Sequence, residues 1–165
     1  MGDDGAGQLN TPEWQLPLRR SGPGCYEVAL SAENRELLRT LPAQLRAAVA
    51  ANPKDAVFRR LFPPAYANDE AAEQEYRRLV GPELDQSRAL ASDTLSKTAD
   101  ATELSEEELD AWVRALNDIR LWLGTLLDIS EDQNDDEPDD PPHLLYHLLT
   151  EIQGLAVEAL LGDEQ

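Results

Sequence analysis

The sequence predicts a mostly α protein: a helical bundle of about five to six helices with a short N-terminal β-hairpin. Two observations carry this prediction. Apolar residues recur at helical spacing in several segments, most of which begin with a capping residue or a proline. Alternating apolar residues flank a Gly/Pro turn only near the N-terminus. The 165 residues fit one domain, which we place at residues 13–163 after a disordered tail at residues 1–12.

The hairpin is predicted from two short alternating runs, Trp14–Arg19 and Cys25–Leu30. The turn-forming sequence Ser21–Gly24 separates them. Pro17 cannot donate a backbone hydrogen bond, so the first strand must lie at the edge of any sheet.

The first helical segment is expected to begin after Ser31, a favourable N-cap residue. Apolar residues then recur at helical spacing, but Pro42 interrupts the pattern. We expect Pro42 to kink this helix or to start a second one, because proline removes a donor and clashes with the preceding turn. Asn52-Pro53 is a further start signal, which predicts a short helix to about Phe62.

The middle of the chain predicts two further helices. Asn68-Asp69-Glu70 opens the first, with acidic residues where the helix dipole favours them. Gly81-Pro82 is expected to stop it, and a weaker helix is expected at Glu83–Thr98. The segment Ala99–Glu103 is then predicted to be a connection.

The two C-terminal helices have the clearest signals. The capping box Ser105–Glu108 opens a helix whose apolar stripe continues to Leu127, and this stripe predicts the central core helix. Seven acidic residues and a proline at residues 131–140 predict a solvated linker. Pro141-Pro142 then begins a last helix with a wide apolar stripe.

The chain is strongly acidic, with a formal net charge of −19. Residues 98–165 hold two basic and nineteen acidic residues, a net charge of −17. Because DNA binding depends on basic side chains that neutralise phosphates, direct nucleic-acid binding is not expected. A basic protein surface is the partner that this charge favours.

The sequence does not favour a secreted protein, a membrane protein or an enzyme. The start Met1–Asp4 lacks the features of a secretory signal, and no apolar run approaches the roughly 20 residues that cross a bilayer. We therefore expect a cytoplasmic protein that does not associate with membranes. No catalytic constellation or phosphate-binding glycine loop is present, so the sequence predicts a non-enzymatic protein without a cofactor.

His143 and His147 carry the alternative function. Four residues apart on one helix, they share a face and could bind a metal ion, with oxygen ligands from the acidic linker. The spacing of a metalloprotease site is absent, and we favour surface or partly buried histidines. The alternative is a small-molecule or metal-binding helical protein that uses these two residues.

Cys25 is the single cysteine and the possible redox site. It lies in a predicted strand, where Glu27 should raise rather than lower the pKa of the thiol. A half-buried, unreactive cysteine is the interpretation that we favour. One cysteine can form no disulfide within this chain.

Several segments together resemble a known family: Glu36–Arg39, Arg59–Tyr66, Glu75–Leu79 and Trp112–Thr125. The chain resembles, over about residues 14–161, an actinobacterial family of unknown function that includes the AosR oxidative-stress transcriptional regulators. This resemblance implies a regulator that responds to oxidation and works with a sigma factor of RNA polymerase. It also implies a C-x-x-x-C switch disulfide, a pattern that this sequence does not contain.

The family-like run Arg114–Thr125 also supplies the candidate partner-contact residues Asn117, Asp118 and Arg120. We place these polar side chains on one face of the predicted core helix. The competing interpretation is that Asn117 and Asp118 satisfy buried backbone groups or pair with Arg120.

Overall fold

Four α-helices and a three-stranded sheet form the part of the chain that the computed structural model describes, which is residues 16–58, 60–128 and 140–162. The predicted tail at residues 1–12 and residues 131–139 of the predicted linker lie outside these ranges. In chain order the elements are β1 (Leu18–Gly22), β2 (Cys25–Val28), α1 (Ala32–Ala51), a 3-10 turn (Ala56–Phe58), α2 (Glu70–Thr98), β3 (Glu103–Ser105), α3 (Glu106–Leu126) and α4 (Pro141–Leu161).

The prediction of a mostly α protein is confirmed, but the count of five to six helices is wrong for the described residues. Pro42 neither ends α1 nor starts a second helix, and α2 continues through Gly81-Pro82. Pro42 is buried, so packing of its ring compensates for the lost hydrogen bond. Pro82 lies on an exposed stretch, where water can satisfy the carbonyl that loses its partner.

The short helix expected from Pro53 to Phe62 is also wrong. Among residues 53–58 and 60–62, which the structure describes, the one helical element is a 3-10 turn at Ala56–Phe58, and its Phe58 is buried. Asp55 stabilises the turn instead, since its side chain accepts a 3.1 Å hydrogen bond from the amide of Val57.

The N-terminal hairpin is confirmed, and a third strand is added. Its second strand begins at Cys25 as predicted and ends at Val28, whereas its first strand is displaced along the chain. β1 begins at Leu18, after the described residues Leu16 and Pro17, and residues 14–15 of the predicted run lie outside the described ranges. The chain reverses around Gly24, whose φ of 63° is in the left-handed region. β3 pairs antiparallel with β2 and so completes a sheet of order β1-β2-β3. The segment Ala99–Glu103, predicted to be only a connection, therefore leads into a strand.

The core lies where the sheet and the other helices pack on α3. The Ser105 capping box is confirmed: its hydroxyl accepts from the Glu108 amide, and the Glu108 carboxylate accepts from the Ser105 amide. Trp112 is completely buried, and its indole Nε1 donates to Thr98 Oγ1 over 2.7 Å. The apolar stripe of α3 is thus the central core element, as the sequence predicts.

Arg35 joins distant parts of the chain near the start of α1. Its guanidinium donates to the carbonyls of Val28, Ala99 and Ala101 over 2.7–3.0 Å, and to that of Leu30 over 3.1 Å. The half-buried Arg35 side chain therefore satisfies four backbone carbonyls at the edge of the sheet, where regular strand pairing ends.

The last helix, α4, packs against α3 and β1. Asp140 caps it by accepting from the His143 amide, and Pro141 and Pro142 occupy its first turn as predicted. Among the described helices, α4 is long and apolar enough to cross a membrane, which corrects the expectation that no such segment exists. Leu149, Ile152 and Ala156 of this helix are buried in the core. A single helix that meets the criterion by length and composition alone is weak evidence for a membrane span.

Candidate partner-binding grooves

Asp118, on the α2 side of α3, is a half-buried carboxylate with one distant partner. Its side chain is 22% exposed, and its Oδ2 lies 3.7 Å from Arg88 Nε on α2. Burial raises the pKa of Asp118, and the charge of Arg88 offsets only part of that rise. None of the described residues donates a hydrogen bond to Asp118.

Arg88 divides its guanidinium among three neighbours. Besides Asp118, it donates to the carbonyl of Leu61 and lies over the ring of Phe62, 4.5 Å from the centroid. Arg88 therefore fixes the irregular segment after the 3-10 turn against α2, and only part of its donor capacity reaches Asp118.

Two open grooves meet at the pair of Arg88 and Asp118. The first, which we name the main groove, has a volume of about 470 Å³ and lies between α1, α2 and α3. Its wall is mostly apolar, with Arg46 and Asp85 among its charged residues. The apolar side chains that line it include Leu45, Val49, Leu61, Phe62, Ala89, Ala115 and Ile119.

The second groove, named the side groove, has a volume of about 350 Å³ and lies between α2, α3 and α4. Asn117 lines it together with Leu84 and Ser87 of α2 and Gln153 of α4. The structure therefore brings Asn117 and Asp118 to neighbouring open surfaces.

Arg120, the third candidate contact residue, is turned away from these grooves. It donates to Thr150 Oγ1 over 2.9 Å and to Gln153 Oε1, and its Cζ lies 5.5 Å from the centroid of Tyr146. It holds α4 against α3, and Asp118 pairs with Arg88 rather than with Arg120. The three candidate residues therefore do not share one surface.

Cys25 is half-buried at the start of β2, and its Sγ donates to Glu103 Oε1 across the sheet over 2.6 Å. This hydrogen bond is the main cause that raises the pKa of the thiol. The direction agrees with the sequence-based expectation, but the carboxylate differs, because Glu27 pairs with Arg19. A protonated thiol beside a carboxylate is a weak nucleophile.

His143 and His147 lie in different environments on α4. His143 is buried, and its Nδ1 lies 2.6 Å from Asp140 Oδ1, which lowers the pKa of Asp140. His147 is exposed and packs edge-on against Tyr146, with ring centroids 5.8 Å apart. Within residues 16–58, 60–128 and 140–162, no three His, Cys, Asp or Glu side chains cluster as metal ligands would.

Sequence reasoning missed Arg88 and the groove that it helps to form. The segment Glu83–Thr98 has only a weak apolar pattern, and nothing in the sequence pairs Arg88 with Asp118, thirty positions further on. The available signal was the sparse apolar face of α2, which left part of that helix without an obvious packing partner.

The fold and the grooves define a mostly helical protein with a small antiparallel sheet and two open clefts beside its core helix. The chain belongs to the family described as a domain of unknown function, DUF2017, whose model matches residues 15–160. This match agrees with the resemblance seen in the sequence.

Mycobacterial proteins are among the relatives of this chain. The oxidative stress regulator AosR of Mycobacterium tuberculosis is 30% identical over 135 residues, which are 69% of this chain and 62% of that protein. A Mycobacterium leprae relative that bears the same AosR name is 32% identical over 139 residues, 72% of this chain and 64% of that protein. The match thus spans less than two thirds of each relative's length. No solved structure matches the chain.

Proposed function

We propose that this chain is a non-enzymatic regulator in the response to oxidative stress, which acts by contact with a protein of the transcription machinery. The observation that carries the proposal is its similarity, over most of its length, to proteins named as oxidative stress regulators. By resemblance, the partner is a sigma factor of RNA polymerase. The cytoplasm, where transcription takes place, is the corresponding location.

The grooves support contact with a protein more than contact with DNA. Two of the three candidate contact residues, Asn117 and Asp118, line open clefts beside the core helix. The net charge of −19 repels a phosphate backbone, so we expect no DNA binding by the chain alone at physiological salt.

Purified full-length protein should be tested by biolayer interferometry against each sigma factor and the core polymerase of its source organism. We expect one sigma factor to bind with a dissociation constant in the micromolar range or tighter, at about 150 mM salt. A random DNA duplex serves as the control. Its dissociation constant should exceed about 1 µM, because the non-specific binding of DNA-binding proteins is typically no tighter than about 1 µM at physiological salt.

Deletion of the gene provides the test of regulation itself. We expect the deletion strain to show an altered transcript profile after peroxide, and a plasmid copy should restore it. An unchanged profile, together with no binding to any sigma factor or polymerase subunit, would show the proposed function to be wrong.

A further inference from the structure

Two carboxylates of the main groove have unused capacity to accept hydrogen bonds. Asp118 receives no hydrogen bond from any described residue, and Asp85 at the rim pairs with no described cation. The cations of the groove are already occupied: Arg46 Nη2 lies 3.0 Å from Asp93 Oδ1, and Arg88 is shared as described above.

Around these carboxylates the groove wall is apolar and open to solvent. Leu61 and Ile119 are buried at its base, and Leu45 and Val49 of α1 are half-buried along its side. A volume of about 470 Å³ is within the range of about 300–1,000 Å³ that is usual for ligand sites. Helical segments recognise such grooves through apolar residues spaced three or four positions apart.

We propose that the main groove binds one amphipathic helix of a protein partner, whose apolar face covers Leu45, Val49 and Ile119 and whose Lys or Arg donates to Asp118. The inference rests on the proposed function only for the identity of that protein. The groove and its preference for a basic helix follow from the geometry.

Charge complementarity selects a basic helix over an anionic or purely apolar ligand. An apolar occupant would cover Asp118 without supplying a donor, and a buried charge that loses water without gaining a partner is costly. An anionic occupant would compete with Asp93 for Arg46 and with Asp118 for Arg88, and it would meet the like charges of Asp85 and Asp118. A basic side chain instead supplies the missing donor and is attracted by the acidic chain.

The first experiment uses a model peptide and therefore needs no natural partner. A peptide of about 18 residues, or five helical turns, carries leucine on one face and lysine on the other. Hydrogen exchange of the full chain should slow in residues 45–50, 85–92 and 115–119 when this peptide is added. A peptide of equal composition with leucine and lysine scrambled should give no such protection, which separates groove binding from general attraction to an acidic protein.

Three variants locate the interaction. Asp85→Lys and Asp118→Asn should each weaken binding of the amphipathic peptide about tenfold, because each removes a charge-assisted contact. Glu83→Lys is the matched control for Asp85→Lys: it makes the same charge change on the same exposed helix but lines neither groove, and binding should change less than about twofold. Thermal melting checks that all three variants remain folded. Asp118→Asn should lose no stability, since burial already disfavours the ionised carboxylate.

The outcomes distinguish this inference from the proposed function. If a sigma factor binds the wild type and Asp85→Lys equally well, the proposed function stands and the groove inference is wrong. If the peptide binds in the groove while no sigma factor binds, the groove inference stands alone. Protection elsewhere in the chain, or a dimer of the chain that Asp85→Lys dissociates, would overturn the groove inference.

Discussion

The helices α2 and α3 lie side by side, yet they are buried to very different extents. Of the 21 residues of α3, eight are buried, whereas the 29 residues of α2 include only two, Ala91 and Leu95. Both lie in the C-terminal third of α2. Further towards its N-terminus, Leu79 is 63% exposed, and Leu90 is 61% exposed. We infer that α3 organises the core, while most of α2 forms surface and the wall of the main groove.

The two helices also differ in how many of their side chains could make new contacts with a binding partner. A residue buried on all sides, such as Trp112, already has its contacts, so binding elsewhere leaves it in place. The exposed leucines of α2 and the half-buried Asp118 at the edge of α3 are positions where new contacts can still be made. The comparison therefore predicts that stability depends mainly on α3 and little on the exposed part of α2, whereas recognition depends on the groove that α1, α2 and α3 form together.

The largest expected effect comes from removing the side chain at the centre of α3. Trp112→Ala should destabilise the protein by about 3–5 kcal/mol, because it leaves a cavity and removes the hydrogen bond that the indole donates to Thr98. Leu90→Ala on α2 should change stability by less than about 0.5 kcal/mol, because that side chain is largely exposed. Urea denaturation followed by circular dichroism measures both variants. A comparable loss in Leu90→Ala would show that α2 is buried in an assembly of the free protein.

Removing the caps of the two helices should give smaller effects. Ser105→Ala breaks the capping box of α3 and should destabilise the whole protein by about 1 kcal/mol. Asp69 caps α2 in the same way, by accepting from the Ala72 amide. Because the first turns of α2 are exposed, Asp69→Ala should mainly cause local fraying. Hydrogen exchange would then accelerate near residue 72 and stay unchanged in α3, and an equal global loss in both variants would contradict the comparison.

Glycine substitutions compare the space around the two helices. At Gly81 of α2 an added Cβ would meet nothing nearer than Arg77 Cβ at 4.0 Å outside its chain neighbours. Its contact with the ring of Pro82 opposes the gain in helix propensity, so Gly81→Ala should stabilise the helix by less than about 0.5 kcal/mol. At Gly124 of α3 the Cβ would lie 3.3 Å from Tyr146 Cε2, so the ring of Tyr146 would have to shift. Thermal melting should therefore show a smaller gain, or a loss, for Gly124→Ala. A larger gain for Gly124→Ala than for Gly81→Ala would contradict this account of the packing.

The smallest expected effect is chemical, at the sheet that packs on α3. The hydrogen bond to Glu103 raises the pKa of Cys25, so little reactive thiolate is present at neutral pH. Mild peroxide should therefore leave the chain unchanged on non-reducing gels. Any disulfide-linked dimer that does form joins two Cys25 residues and should disappear in Cys25→Ser. A dimer that persists in Cys25→Ser would exclude this thiol as the link.

Local signals predicted part of this fold well. The starts of α3 and α4 were predicted because a capping box and a double proline act within one turn of helix. The third strand was missed because β3 has only three residues and exists through pairing with β2, about eighty positions earlier. Pro42 was misjudged because its ring gains burial that the sequence does not reveal. These two errors arose where contacts between distant segments decided the local structure.

For the candidate site, sequence reasoning placed Asn117, Asp118 and Arg120 on one polar face, whereas in the structure Asn117 and Asp118 line open grooves and Arg120 does not. Helical spacing gave the face of each residue on α3, but not which neighbouring helix that face would meet. Arg120 meets α4, whereas Asp118 meets α2. The main groove needs side chains from three helices and so has no signature in any single segment.

The hydrogen bonds from Arg35 to four carbonyls affect where the chain can accept insertions. Arg35 ties Val28 to Ala101, and the Val28 amide donates to the carbonyl of Thr102, so both ends of the segment between β2 and β3 are fixed at one point. The helices α1 and α2 both lie in the long segment between β2 and β3, whose two ends meet there. Closing a longer loop costs only about 0.6 kcal/mol for each doubling of its length. The turn between the two helices, at residues 63–68, is therefore where evolution can lengthen this protein without disturbing its sheet.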